Sequence, residues 1–239
     1  MERLWYLPSV IVLIGVGLGP LGVQLGVLDP VTGWAFFSFG LVFALLSLPI
    51  TAGAAAFASA MGRSWRGAAL RGAIVPLGVV VTLVLPNGYK LLPLIHDITT
   101  DPSDSLQFSP EVVDDESQRA RESIPREQVL QISREVYPDL EPLELELEPA
   151  QAFELALATA SEQPGWRVID SDPATGIIEA EATSRLFEFV DDVIIRVRAA
   201  DDGGGSRVDM RSRSRVGQSD LRANAERIRG FMRALRERS

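Results

Sequence analysis

The sequence predicts an α-helical membrane anchor of three spans joined to an α+β soluble domain, an antiparallel sheet in β-α-β-β-β-β-α order with helices on one face. Three observations carry this. Charge is unevenly spread: residues 1–95 hold five Lys and Arg against two Asp and Glu, and residues 96–239 hold 18 against 30. Three apolar runs of bilayer-crossing length, about 20 residues each, fill the first part. Alternating segments punctuated by Gly, Pro and Asp fill the second. The boundaries fall at 1–95 for the anchor, 96–128 for a juxtamembrane motif and linker, and 129–239 for the soluble domain.

The apolar runs cover residues 4–28, 34–61 and 68–85. The first has one Arg in front, no small-residue cleavage site and two further runs behind it, so it reads as a retained helix and not a signal peptide. Gly15, Gly17, Gly19, Pro20 and Gly22 in the first run, and Gly53 in the second, are small residues that let helices approach closely in lipid. Arg71 is the sole ionisable group near a span interior, which favours an anchor over a transport path. Arg63, Arg66 and Arg71 concentrate positive charge in one loop while the Asp29-Pro30 turn has none. By the positive-inside rule that loop and the amino terminus are cytoplasmic. Three crossings then place residues 96–239 outside the cytoplasm, with the protein in a bacterial inner membrane. Tyr89 and Lys90 within residues 87–93 suit an interfacial collar.

Residues 101–128 are rich in Asp, Glu, Ser and Pro and read as a linker, with Phe108, Val112 and Val113 able to dock on a core. Val129, Ile132 and Val136 recur at helical spacing before Pro138, which predicts a short helix over 127–137. Residues 143–148 alternate Leu and Glu, which puts leucines on one face of a strand. Pro149 opens a helix carrying Phe153, Leu157 and Ala160. Strands follow over 166–170 and 177–183 about an Asp-Pro-Ala-Thr-Gly turn, then a hairpin of 189–198 and 207–216. Ser219 and Asp220 can cap a last helix whose Leu221, Ala225, Ile228, Phe231, Met232 and Leu235 line one face. A sheet covered by helices on one side has its other face in water.

An acidic soluble part repels nucleic acid. With no cysteine, disulfides, thiolate catalysis and cysteine-based zinc sites are excluded. The acidic pairs Asp114-Asp115, Asp191-Asp192 and Asp201-Asp202 lack calcium-loop spacing, so no metal is expected. Gly203, Gly204 and Gly205 are turn residues, since no Lys-Ser/Thr pair or helix follows them as in a phosphate loop. No cofactor is expected.

Several stretches together resemble a family described as domain of unknown function 1499, found in bacteria and plastids. They are residues 95–101 (Ile-His-Asp-Ile-Thr-Thr-Asp), Tyr137-Pro138-Asp139-Leu140, Gly165-Trp166, residues 176–180, 191–198 and 205–217, and Ser219-Asp220-Leu221 with Asn224-Ala225 and Arg227-Ile228. The resemblance runs from Leu94 to about Phe231. It departs at Ser105 and Leu106, where similar chains tend to place prolines, and at Arg222, where glycine is common. It implies a membrane setting and no agreed activity, so no functional residue carries over.

Two groups of residues are candidates for chemistry. His96, the one histidine, with Asp97 or Asp101 has the residue types of a hydrolytic base. Neighbours on an extended chain point to opposite sides, however, which favours a role for this stretch along the domain edge. Arg196, Arg198, Arg211, Arg213 and Arg215 form a row on the hairpin's polar face. Such a row suits anionic lipid headgroups or an acidic envelope protein. Glu144, Glu146, Glu148, Glu179 and Glu181 lie on neighbouring strands, and cross-strand ion pairs are the plainer reading. The expected function is an extracytoplasmic binding or interaction domain, for lipid-like ligands or envelope partners. A hydrolase and a scaffold subunit of a membrane complex are the alternatives.

Overall fold

The computed structural model describes residues 5–62, 65–84, 95–104, 106–109, 126–201, 203–217 and 220–239. The 87–93 collar, Arg63, Val112, Val113, Asp114-Asp115, Asp202 and Ser219 lie outside them. The chain divides into two compact units, one of residues 1–91 with 185–188 and one of residues 92–184 with 189–239.

In the first unit, α1 (Leu7–Gln24) and α2 (Pro30–Ala60) are long and apolar enough to cross a membrane by length and composition. Asp29 starts α2 by accepting the amides of Val31 and Thr32, each at 3.0 Å. The third apolar run differs from the expected span. It is divided into α3 (Arg66–Gly72), α4 (Ile74–Val79) and a π-helical turn (Val80–Val84), with an apolar stretch of only Gly67–Leu83. Pro76 is the reason: it has no amide for the carbonyl of Gly72, and its ring crowds that carbonyl. The Gly72 oxygen instead accepts the Ser9 hydroxyl at 2.8 Å.

Contact between α1 and α2 runs through glycine. A Cβ on Gly19 would lie 2.3 Å from the Gly33 carbonyl oxygen, and one on Gly40 2.7 Å from the Val16 nitrogen. Gly17 and Gly53 face open space, so they do not serve the close approach. Gly40→Leu should therefore lower the thermal aggregation temperature of the detergent-solubilised protein, and Gly17→Leu should leave it within about a degree or two; equal effects would refute glycine-mediated packing.

The second unit is a six-stranded antiparallel sheet. Its strands are β1 (Asp97–Thr99), β2 (Leu143–Leu145), β3 (Trp166–Asp172), β4 (Ile177–Thr183), β5 (Val190–Ala199) and β6 (Ser206–Ser214). The order is β1-β6-β5-β4-β3, and β2 shares the β1 edge of β6. β1 pairs with residues 211–213 and β2 with residues 206–208. The chain breaks away between them, where the Thr100 hydroxyl accepts the Met210 amide at 2.9 Å. β1 is a strand that the sequence pattern does not reveal, because three residues are too few to show alternation.

Helices α5 (Arg126–Val136), α6 (Pro149–Ser161) and α7 (Ala223–Arg238) complete the unit. Ile98, Leu143, Leu145, Ile178, Ala180, Val193, Ile195, Val208 and Met210 meet Val129, Phe153, Ala156, Ile228, Phe231 and Leu235 in one buried core. Trp166 stacks on Phe231 with ring centres 5.7 Å apart. Two expected core positions differ. Val136 is exposed and Tyr137 is buried in its place. Leu221 is exposed at φ +52°, because the chain turns left-handed through Leu221 and Arg222 before α7 begins. Asp220 caps that turn, accepting the amides of Arg222 at 2.9 Å and Asn224 at 2.8 Å.

Candidate functional site

The sheet face opposite the helices is not in water, contrary to expectation. Arg211 and Asp209 are each 1% exposed, Asp192 0% and Glu179 3%. Two effects dry it: the charges cover one another, and residues 106–109 lie across them.

Register builds the charge lattice. Arg213 lies between Asp97 on β1 and Asp192 on β5, and Arg196 lies opposite Asp209. Asp209 is a hub, receiving Arg196 at 2.8 Å, Arg207 at 3.3 Å and Arg198 at 3.4 Å. Its negative charge reconciles Arg198 and Arg207, which stand directly opposite each other. Arg196 also meets Asp104 at 2.9 Å, and Arg198 meets Asp201 at 3.1 Å. Arg215 joins Glu181 at 2.6 Å to Asp192 at 2.7 Å. Arg211 grips Asp97 side-on, its Nε and Nη2 donating to the two carboxylate oxygens at 2.8 and 2.6 Å. Burial pushes the Asp192 carboxyl above its ordinary value, and Arg215 only partly offsets it. All five arginines singled out from the sequence thus lie among acidic side chains on one face. Arg211 and Arg213 also sit over the Phe108 ring, 4.9 and 4.8 Å from its centre.

His96, Asp97 and Asp101 do not converge. Asp97 faces the lattice. The His96 backbone oxygen accepts the Ser214 amide at 2.9 Å and the Asn224 side-chain amide at 2.9 Å, while its imidazole has no hydrogen-bond partner among the described residues. Asp101 closes the turn after β1, accepting the amides of Ser103 and Asp104, the Ser103 hydroxyl, and Arg207 at 2.9 Å. Burial raises its carboxyl, but the Ser103 hydroxyl, those amides and Arg207 together hold it below its ordinary value.

A depressed native pKa adds stability above the unfolded value that is lost as pH falls through the native one. Asp101→Asn should therefore flatten the loss of stability as pH falls below about 4 in urea titrations. An unchanged slope would contradict the assignment.

Beside this turn a cleft of about 460 Å³ opens at the edge of the sheet where β1 and β2 meet β6. Thr99, Thr100, Asp101 and Pro102 form one wall, Ser133, Arg134 and Tyr137 of α5 and its end another, and Leu140, Glu141, Pro142 and Glu144 the third. Arg207 of β6 also lines the cleft. The volume lies within the range that holds a small ligand, about 300–1,000 Å³. Arg134, Glu141 and Glu144 are exposed at the rim and bring both signs of charge to it. Tyr137 is 4% exposed, its hydroxyl has no hydrogen-bond partner among the described residues, and burial raises its pKa. No group of three or more His, Cys, Asp or Glu among the described residues has metal-binding geometry. The space between sheet and helices holds a packed cluster of buried side chains, and the cleft sits at the sheet edge. Its walls come from stretches over 100 residues apart, which is why no local pattern marks it.

No curated protein and no solved structure matches the chain. The family model "Protein of unknown function (DUF1499)" matches residues 97–235, more than half of the chain. That span takes in β1, the cleft, the charge lattice and most of α7, and the chain belongs to this family of proteins of unknown function.

Proposed function

We propose that this chain is a membrane-anchored binding protein whose soluble domain takes a small ligand, or the tip of an envelope partner, in the cleft between β1, α5 and β2. The observation that carries the reading is convergence: the 99–101 stretch, Tyr137-Pro138 and Arg207 come from separate parts of the family match and line one cavity. Binding is favoured over hydrolysis because Asp97 and Asp101 already give their oxygens to arginines and turn amides. Anchoring is supported by the side chains of α1 and α2, where Leu13, Leu18, Leu21, Phe39, Leu46 and Ile50 are exposed. Apolar surface on that scale needs a bilayer or a partner helix. In the orientation we favour, α3, α4 and the π turn make a third crossing and the domain lies outside the cytoplasm, in a bacterial inner membrane.

Gentle detergent extraction followed by mass spectrometry of co-purifying lipids, metabolites and proteins tests the cleft. Wild type should retain an occupant that Glu144→Trp, which fills the cleft from an exposed position, loses. Equal recovery from both proteins would remove the cleft from the reading.

A further inference from the structure

The charged face of the sheet handles residues 106–109 as a receptor handles a bound peptide. The Arg211 guanidinium donates to the Leu106 carbonyl oxygen, and the Leu106 side chain is buried at 5% exposure. The Phe108 ring lies under the guanidinium carbons of Arg211 and Arg213. Ser109 then gives both its amide and its hydroxyl to the two oxygens of Glu179, at 2.7 and 2.6 Å. Arg211 and Glu179 stand on either side of Ile194 in one cross-strand row, so the segment crosses three strands and is read at both ends by charge.

None of its residues pairs in the sheet or continues a helix. Besides the buried Leu106 side chain, it is held by charge-assisted hydrogen bonds and ring-cation contacts, which water can replace when the segment leaves. That distinguishes it from the helix side of the sheet, where departure would expose apolar core.

We propose that this face is a peptide-recognition site, filled in this chain by its own residues 106–109 as an exchangeable resident ligand. The partner it fits is an extended segment that offers a carbonyl, an aromatic side chain two residues later, and a hydroxyl residue immediately after. Tethering gives the resident segment an effective concentration in the millimolar range, so a free peptide competes poorly until the tether is disabled. This site is separate from the cleft, and an empty cleft leaves it unchanged.

The test uses the full-length protein in detergent and a fluorescent peptide of residues 104–111. A variant with Leu106, Phe108 and Ser109 all changed to Gly should bind the peptide, with wild type at least about tenfold weaker. Peptides with Ala in place of the Phe or the Ser should lose binding. No binding to a folded variant, or equal binding to both proteins, would overturn the proposal. Should the variant not fold, amide exchange in wild type decides. The Ser109 amide should exchange at least about 100-fold faster than that of Ile195 at the sheet centre; equal rates would mean that the segment leaves only on global unfolding and would overturn the proposal.

Discussion

Arg211→Ala is expected to cost the soluble domain about 3–5 kcal/mol, the range for breaking a buried ion pair by removing one partner. The side chains of Arg211 and Asp97 are only 2% and 6% exposed, so the variant leaves a carboxylate in a dry site and the Leu106 carbonyl without its donor. For a domain of this size, that corresponds to a fall in Tm of roughly 10–20 °C, read from the near-ultraviolet signal of the folded aromatics. Arg211→Lys should recover only part of it, since an ammonium cannot repeat the two-pronged grip. The double variant Asp97→Leu, Arg211→Met should be far closer to wild type than Arg211→Ala, because removing both charges leaves neither unpaired. A single variant no worse than the double would contradict a buried pair.

Asn224→Ala should be the next most damaging, at about 3 kcal/mol, because several buried polar groups lose partners together. Asn224 is 0% exposed at the start of α7. Its side-chain oxygen accepts the Ser212 hydroxyl at 2.7 Å and an Arg227 branch, and its amide reaches the His96 carbonyl at 2.9 Å and the Ser214 hydroxyl at 3.0 Å. One side chain thus ties the last helix to β1 and β6. Arg227 carries the tie onward to Asp191 at 2.5 Å. The expected signature is early release of α7, seen as loss of exchange protection at Ile228 and Phe231 before the centre of β5. Simultaneous loss throughout the domain would mean that the tie is not local.

These interactions mark where sequence reading succeeds and where it stops. Strand alternation was legible because side chains reverse face at every residue, so Val193, Ile195 and Val197 had to share the face that Arg196 and Arg198 do not. The arginine row was legible for the same reason, but its partners were not: among the described residues Glu181 is the one expected glutamate that pairs with it, and Asp97, Asp104, Asp192, Asp201 and Asp209 supply the other carboxylates. Their burial was not legible either. It depends on residues 106–109, which have no periodicity and sit in a stretch whose composition resembles a solvated linker. Phe108 was picked out as a residue able to dock on a core, but it docks on guanidinium groups. The break in the third apolar run was written in Pro76, and hydropathy alone passes over it. Tyr137 taking the core place of Val136 reflects the chain leaving helical geometry just before Pro138, a shift of one position that spacing cannot foresee. The cleft needed the three-dimensional fold, since β1, α5 and β2 meet only after the β6 edge has been divided between two short strands.

Ligand capture by an anchored domain outside the cytoplasm is tested most directly at the cleft rim. The chain contains no cysteine, so Glu141→Cys introduces a single thiol at an exposed rim position. In intact spheroplasts expressing the full-length variant, a membrane-impermeant maleimide should label this thiol as completely as it does after permeabilisation. Labelling that appears only once the membrane is opened would place the cleft in the cytoplasm and contradict the proposed orientation.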